Sequence, residues 1–313
     1  MYYLGIDTSN YTTSVALIDE NKEIIQQKKL LPVKSGEIGL RQSDAVFHHT
    51  AQLHSLYTDL VKNINPAEIK AIGVSTRPRN VEGSYMPCFT VGHNAAKIIS
   101  ATLNVPLYAF SHQEGHIAAA IFSTEQEKFF SEKFIAFHVS GGTTEAVLAK
   151  PDNFGFKLDI IAKTLDLNAG QAIDRVGVML GLGFPCGKEL EKLALNYKGV
   201  LKVKKSTLKN ENCCLSGIEN ICNDLYKNNS SKEYIAAYCL KYIENTLSLM
   251  TDKLLKKYGN LPLLYAGGVM SNSIIRKSFE SKYNAYFAAP EFSADNAAGI
   301  AYLTYRKAIY DKS

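Results

Sequence analysis

The order of apolar and polar positions at the start of the chain predicts a three-stranded meander. Residues 2–7 and 13–19 are predicted to form two short strands around a polar turn, and residues 23–31 a third strand. Apolar side chains then recur near helical spacing from residue 40 to residue 63, and a strand is predicted at residues 69–75. Helices and strands alternate beyond this point, which is typical of an α/β fold.

A second strand–turn–strand segment resembles the first one. Setting Ser9 over Ser140, an offset of 131 residues, aligns SNYTTSVAL at 9–17 with SGGTTEAVL at 140–148. Two similar turns, each closing an antiparallel hairpin, predict duplicated half-domains that face one another. Gly141 and Gly142 would let the backbone approach a phosphate, so the two turns together predict a phosphate clamp. An ordinary hairpin is the alternative for either turn alone.

The C-terminal half contains a second glycine-rich turn. Residues 261–266 are predicted to form a buried strand that runs into Gly267 and Gly268, and residues 273–283 a helix. A strand, a glycine turn and a helix N-terminus together form a geometry that binds nucleotides. In this turn, Asn272 is suited to a left-handed backbone or to binding a base or sugar.

Two histidines begin a predicted helix in an H-x-x-x-H pattern. Residues four apart share one helical face at about 5–6 Å, so His112 and His116 are near enough to bind one cation. Asp295, at the start of an alanine-rich helix, could add a carboxylate to this pair. The alternatives are two capping or solvent-facing histidines and an aspartate that is only the N-cap of its helix.

Composition narrows the class of protein without deciding its function. The 313 residues, 46% of them hydrophobic, suit two domains or one large α/β unit, and a net charge of +5 permits a nucleic-acid partner. Six cysteines without a C-x-x-C pair predict reduced thiols. Because the chain begins with a predicted strand and no apolar run approaches about 18 residues, we expect a cytoplasmic protein with no membrane partner.

Eight short motifs follow one another in the order found in one known family. They are GIDTS at 5–9, HQEGH at 112–116, VSGG at 139–142, AIDR at 172–175, LGLGFPCG at 180–187, LSG at 215–217, AGGV at 266–269 and DN at 295–296. With these motifs the chain resembles the TsaD/YgjD family, formerly called O-sialoglycoprotein endopeptidases (peptidase family M22-like) and now threonylcarbamoyladenosine synthases. The ordered series is far more specific than any single motif.

The resemblance implies an α/β fold of the actin-like ATPase class shared by sugar kinases, Hsp70 and actin. Such a fold has two duplicated RNase H-like lobes with nucleotide and metal in the cleft between them. We expect an N-terminal lobe at 1–110, to which the C-terminal helix returns, and a C-terminal lobe at 111–313 with a helical insertion at about 160–230. The implied reaction transfers a threonylcarbamoyl group from its adenylate to the exocyclic amine of the adenosine next to the anticodon of certain tRNAs.

The resemblance also implies roles for individual residues and partners. Ten positions match the family's sites: metal ligands His112, His116 and Asp295; a phosphate and substrate loop Val139, Ser140, Gly141 and Gly142; and nucleotide contacts Asp174, Gly187 and Asn272. The implied cofactors are iron or zinc and ATP or an acyl-adenylate, and the implied partners are tRNA and TsaB-like and TsaE-like proteins. If the resemblance to the family is set aside, Asp174 is equally well interpreted as a structural surface charge on its helix.

Departures from the family pattern suggest a divergent paralogue. Where relatives have TSCDET after the first strand, this chain has TSNYTT at 8–13, so two acidic side chains are missing. Arg77, Arg79 and Glu82, on the loop after the next predicted strand, are candidates with Ser9 for a substitute active site. A solvated surface loop is the alternative. The transferase activity is therefore expected to be changed or weakened.

Two alternative functions are compatible with the sequence, and one lysine-rich segment has two interpretations. A noncatalytic nucleotide-binding partner of a true family member would fit the missing acidic residues. A metalloprotease fits poorly, because zinc proteases of the common type need H-E-x-x-H and Glu114 is displaced from that position. Five lysines could face a tRNA backbone or form a solvated face: Lys198, Lys202, Lys204, Lys205 and Lys209.

Overall fold

The structure is a computed structural model that describes residues 1–9, 11–32, 40–153, 155–293 and 296–311. The chain forms two compact units. Unit 1 comprises Met1–Ser131, Pro151–Lys157 and Glu291–Ser313, and unit 2 comprises Glu132–Lys150 and Leu158–Pro290.

Strands and helices alternate along most of the chain. The strands are β1 (Tyr2–Asp7), β2 (Thr12–Asp19), β3 (Ile24–Leu30), β4 (Ile69–Arg77), β5 (Leu107–Ser111), β6 (Phe134–Val139), β7 (Thr144–Asp152), β8 (Gly155–Lys163), β9 (Leu208–Lys209), β10 (Asn212–Cys213), β11 (Leu263–Ala266) and β12 (Ala285–Phe287). The helices are α1 (Gln42–Val61), α2 (Phe89–Leu103), α3 (His112–Thr124), α4 (Ala169–Met179), α5 (Gly187–Asn196), α6 (Gly217–Lys227), α7 (Lys232–Tyr258), α8 (Ser273–Lys282) and α9 (Ala298–Tyr310). Short 3₁₀ turns lie at Pro66–Glu68, Glu127–Phe130 and Pro290–Phe292.

Each unit contains a five-stranded sheet with the same strand order. In unit 1 the order is β3-β2-β1-β4-β5, with an antiparallel meander followed by β4 and β5 parallel to β1. In unit 2 the order is β8-β7-β6-β11-β12, where β6 pairs antiparallel with β7 and parallel with β11. The duplication predicted from the two similar turns is therefore confirmed.

The first unit does not end near residue 110. Helix α3 packs against α9, and α9 in turn covers β1, β2 and β4, so the chain from 111 to 131 and the C-terminal helix both belong to unit 1. The physical reason is burial, because the apolar face of α9 lies between the unit 1 sheet and α3. The lobe boundary expected after residue 110 thus falls inside a unit.

Apolar periodicity explains how the helices cover the sheets. Leu53, Leu56 and Leu60 of α1 recur at helical spacing and pack with Leu4 and Ile6 of β1 in the core of unit 1. In unit 2, α7 has buried side chains along nearly its whole length and forms the centre of a second core. No helix in the described ranges is long and apolar enough to cross a membrane.

Candidate active site

Helix α3 begins where it does because Ser111 and Glu114 cap it. The Ser111 Oγ accepts a hydrogen bond from Glu114 N at 3.2 Å, and Glu114 Oε2 accepts one from Ser111 N at 2.8 Å. This reciprocal capping box makes His112 the first residue of the helix and places His116 one turn later. Since the cap is supplied by Ser111, the interpretation of the histidines as capping residues is wrong.

The two histidines face each other closely. Nε2 of His112 lies 2.9 Å from Nε2 of His116, and their ring centroids are 4.3 Å apart. Both side chains are only partly exposed, so they are not solvent-facing residues on an open helix surface. Two imidazole nitrogens directed at one point are a suitable pair of donors for iron or zinc.

Asp7, at the end of β1, holds the other ring nitrogen of His112. Its Oδ2 lies 2.8 Å from His112 Nδ1, and its Oδ1 accepts a hydrogen bond from Ser9 N at 2.7 Å. The Asp7 side chain is buried. A buried carboxylate on Nδ1 favours the tautomer that carries its proton there, which leaves the Nε2 lone pair directed at His116. Ser9 Oγ also lies 2.8 Å from His112 Nδ1.

The third expected ligand, Asp295, lies outside the described residues, as does Asn10. The N-cap of α9 is Ala297. Within the described ranges, no three His, Cys, Asp or Glu side chains are grouped so that they could hold a metal ion. The two imidazoles, with the tautomer of His112 set by Asp7, therefore fit a cation, and the ligand set needs a residue beyond them.

The chain that follows Asp295 is held against the helix that carries the histidines. A Cβ built on Gly299 would lie 1.8 Å from the carbonyl oxygen of Gly115, so only glycine permits this approach of α9 to α3. The side chain of Asn296 accepts a hydrogen bond from Ala298 N at 3.0 Å. The first turn of α9 is thus fixed beside His112 and His116.

The loop after β4 adjoins the first turn of α3. The carbonyl of Pro78 accepts a hydrogen bond from Gln113 N at 3.1 Å. Arg77 and Arg79, which flank Pro78, are half-buried, whereas Glu82 is exposed. The two arginines are therefore on the part of the loop attached to the histidine-bearing helix, and Glu82 is on the part that is open to solvent.

In unit 2, the turn after β6 is closed by its own residues. Ser140 N donates to Thr143 O at 2.7 Å, and Thr143 N donates to Ser140 Oγ at 3.1 Å. Gly141 and Gly142 face open space, since a Cβ on either would meet no atom within 4 Å. A Cβ on Gly170, at the start of α4, would lie 2.5 Å from Gly141 N. The glycine turn consequently lies directly against a helix N-terminus, a suitable place for an anion.

The second glycine turn adjoins the first one. Val269 N donates to the carbonyl of Val139 at 3.1 Å, which joins the segment before Asn272 to the residue before Ser140. Asn272 itself has φ −63° and ψ 124°, and its side chain accepts hydrogen bonds from Ile274 N and Ile275 N. Of the two interpretations of Asn272, the left-handed backbone is therefore wrong. Asn272 is the N-cap of α8, with an extended backbone.

Asp174 and Gly187 meet at the start of α5. Oδ1 of Asp174 accepts a hydrogen bond from Cys186 N at 2.8 Å, next to Gly187. Burial raises the pKa of the Asp174 carboxyl above its ordinary value, although the Cys186 hydrogen bond acts in the opposite direction. Asp174 is therefore tied to the backbone of another element and is not merely a surface charge on α4.

The chain is similar in sequence to proteins of one known family. The family model described as "TsaD: tRNA N6-adenosine threonylcarbamoyltransferase" matches residues 23–302. A tRNA N6-adenosine threonylcarbamoyltransferase of Thermosipho africanus is 32% identical, over 100% of this chain and 97% of the relative. The chain belongs to the TsaD family. The resemblance inferred from the ordered motifs is thereby confirmed.

Solved structures show the fold of this TsaD family member. Component A of the (R)-2-hydroxyglutaryl-CoA dehydratase of Acidaminococcus fermentans superposes with a TM-score of 0.58 at 17% identity, covering 99% of each chain. A putative N-acetylmannosamine kinase of Listeria monocytogenes superposes with a TM-score of 0.54 at 10% identity, covering all of both chains. Together with the two sheets of the same strand order, these neighbours confirm the predicted actin-like ATPase fold.

Sequence reasoning missed two carboxylates that organise this TsaD chain. Asp7 orients His112 from 105 positions away, and its place in the GIDTS motif at 5–9 did not reveal this role. Asp166 accepts hydrogen bonds from Leu167 N, Leu215 N and the hydroxyl of Ser216 at 2.6–2.7 Å. It therefore joins the LSG motif to the segment that leads into α4.

Proposed function

We propose that this chain is a metal-dependent acyl transferase that transfers a threonylcarbamoyl group from its adenylate to the N6 amine of an adenosine in tRNA. The observation that carries the proposal is the pair of Nε2 atoms of His112 and His116, 2.9 Å apart, with Asp7 on the other nitrogen of His112. The activity for which the family is named supplies the acyl group and the acceptor. The protein would act in the cytoplasm with TsaB-like and TsaE-like partner proteins.

The metal would be iron or zinc, held by His112, His116 and Asp295. When bound, such a cation polarises phosphate and carbonyl oxygens of a mixed anhydride. Asp7 keeps the proton of His112 on Nδ1, and Ser9 fixes Asp7 through its backbone N–H. The role of these residues is to hold the two Nε2 atoms close together in a set geometry before any ligand arrives.

Adenine nucleotide, as ATP or as an acyl-adenylate, would bind to the turns of unit 2. Backbone N–H groups at Gly141 and Gly142, with the α4 N-terminus beside them, favour a phosphate and stabilise the departing nucleotide. Asp174 and Gly187 would contact the nucleoside, with the Asp174 carboxylate accepting ribose hydroxyls. Asn272, which also holds the start of α8 as its N-cap, would be a further nucleoside contact.

The activity is proposed to be weaker than that of typical relatives. Tyr11 and Thr12 stand where the family usually has aspartate and glutamate, and neither offers a carboxylate at neutral pH. Thr12 is buried and pairs with Leu30 in the sheet, so a glutamate there would be costly. Tyr11 is more exposed, and Tyr11→Asp is the restoring change that the fold tolerates better.

The direct test is an assay of tRNA nucleosides by mass spectrometry. The purified chain is incubated with threonylcarbamoyl adenylate, tRNA and bacterial partner proteins, and the expected product is threonylcarbamoyladenosine. The double variant His112→Ala/His116→Ala should form none and should lose bound metal by elemental analysis. His54→Ala, an exposed histidine on α1, is the matched control. Full metal occupancy and full activity in the double variant would contradict the proposal.

A noncatalytic nucleotide-binding partner is the second candidate, favoured by the missing carboxylates at Tyr11 and Thr12. Nucleotide binding without any transfer in the same assay would support it. The metalloprotease has a specific observation against it, because the buried Glu114 carboxylate is bound to Ser111 N and Ser111 Oγ in the helix cap. It is therefore not placed to act as a general base on water.

A further inference from the structure

The excess positive charge of the chain lies entirely in unit 2. This unit contains 20 of the 35 Lys and Arg residues and 14 of the 30 acidic residues, a formal charge of +6, whereas unit 1 has 15 basic and 16 acidic residues, a charge of −1. The densest basic segment is residues 198–209, which we name the lysine strap. It contains five lysines and no acidic residue.

The lysine strap has one side turned inward and one side turned outward. Leu201, Val203 and Leu208 are partly buried and pack on the hydrophobic core of unit 2. The lysines between and beside these apolar residues are exposed: Lys202, Lys204, Lys205 and Lys209. The apolar residues thus anchor the strap to the core while its lysines remain in solvent.

Hydrogen bonds attach the strap to α7. The backbone N of Lys204 donates to the Tyr238 hydroxyl at 3.0 Å, and Thr246 Oγ1 donates to Ser206 Oγ at 2.8 Å. The backbone of the strap is therefore ordered before any partner binds, which lowers the entropic cost of association. Among the described residues, no acidic side chain forms an ion pair with Lys202, Lys204, Lys205 or Lys209, so their charges are not neutralised within the protein.

We propose that the lysine strap binds the phosphate backbone of tRNA. The inference rests on the proposed function, in which tRNA is the acceptor, and it assigns the surface that holds this acceptor. A row of unneutralised ammonium groups on an ordered segment suits a polyanion, which releases its counterions on binding. A lipid surface fits less well, because Leu201, Val203 and Leu208 are directed into the core and cannot enter a bilayer.

The test compares two variants of equal net charge. In the strap variant, Lys202, Lys204, Lys205 and Lys209 are changed to Gln. In the control variant, four exposed lysines elsewhere are changed to Gln: Lys29, Lys62, Lys97 and Lys227. Affinity for unmodified tRNA is measured by filter binding over a range of salt concentrations, and adenine-nucleotide affinity by calorimetry reports on folding.

The strap variant should bind tRNA on the order of ten-fold more weakly, and the slope of log affinity against log salt should fall by about 0.7–0.9 for each phosphate that is no longer neutralised. Its KM for tRNA should rise with kcat unchanged, and substitution of the same four lysines by Arg should preserve binding. Equal tRNA affinity of the strap variant and the wild type, or equal weakening in the strap and control variants, overturns the strap assignment alone. If the wild type binds no tRNA, both the strap assignment and the proposed function are overturned.

Discussion

Gly299 of α9 lies against the carbonyl oxygen of Gly115 in α3, so closely that a methyl group at 299 would be 1.8 Å from that oxygen. Gly299→Ala should therefore force the two helices apart and lower the free energy of unfolding by about 3 kcal/mol or more. Bound metal should fall as well, because α9 follows Asp295. Urea unfolding and elemental analysis measure the two effects. Gly217→Ala, at a helical glycine with open space around it, is the control.

Replacing Asp7 by asparagine should weaken metal binding without removing any ligand. The amide nitrogen of the new side chain would face His112 Nδ1 and favour the tautomer with its proton on Nε2, the atom proposed to bind the metal. We expect affinity to fall about 10–100-fold in a competition titration with a chromophoric chelator. Asp59→Asn, an exposed carboxylate on α1, should change nothing. Unchanged affinity in Asp7→Asn would show that Asp7 does not set the tautomer.

Asp174 should give the protein a distinctive pH dependence. Burial raises the pKa of its carboxyl above 3.8, so the folded chain binds this proton more tightly than the unfolded chain. Stability conferred by the protonated form is therefore lost as pH rises from 3.8 through the folded pKa. Asp174→Asn has no carboxyl to titrate and should not lose this stability. The free energy of unfolding of the variant minus that of the wild type should therefore increase as pH rises from 3.8 through the folded pKa. Urea titrations at several pH values measure it, with exposed Asp224→Asn as control. A difference that is constant with pH contradicts the prediction.

Asp166 should show the opposite pH dependence. Burial acts to raise the pKa of its carboxyl, but hydrogen bonds from the Ser216 hydroxyl and from the backbone N–H groups of Leu167, Leu215 and Ser216 bring it below 3.8. Its contribution to stability is present above this value and is lost as pH falls through the folded pKa. At neutral pH, Asp166→Asn should cost about 1–2 kcal/mol, a modest loss for so many bonds because the side chain is exposed.

The loss at Asp166 can be measured by urea unfolding at neutral pH and again below the folded pKa. The difference between the variant and the wild type should shrink in acid. Asp224→Asn serves again as the control, because it lies on an exposed part of α6. A loss of stability that is the same at both pH values would mean that the charge on Asp166 is not what the hydrogen bonds stabilise.

The periodicity of apolar residues in the sequence was sufficient to predict helices and strands that bury one face. The helix predicted at 40–63 is Gln42–Val61, and the strand predicted at 69–75 is Ile69–Arg77. Helix α7 was not predicted, because its buried residues extend around more than one face and leave no simple amphipathic stripe.

The candidate site could be predicted only where its residues are close in sequence. His112 and His116 are one helical turn apart, so their pairing follows from helix geometry. The contact between His112 and Asp7 depends on the parallel pairing of β4 with both β1 and β5, which no local pattern reveals. The cap at Asn272 was missed for a different reason, since a glycine turn and an N-cap favour the same residue types.

The two sheets of the same strand order have equivalent turns, after β1 and after β6, that differ in their chemistry. In the first copy the turn serine, Ser9, contacts a histidine through its hydroxyl, whereas in the second copy Ser140 accepts a hydrogen bond from the backbone of its own turn. A substitution at Ser9 would thus act on the imidazole pair, and the same substitution at Ser140 on the shape of a glycine turn. The same residue type at equivalent turns thus has a different task in each copy.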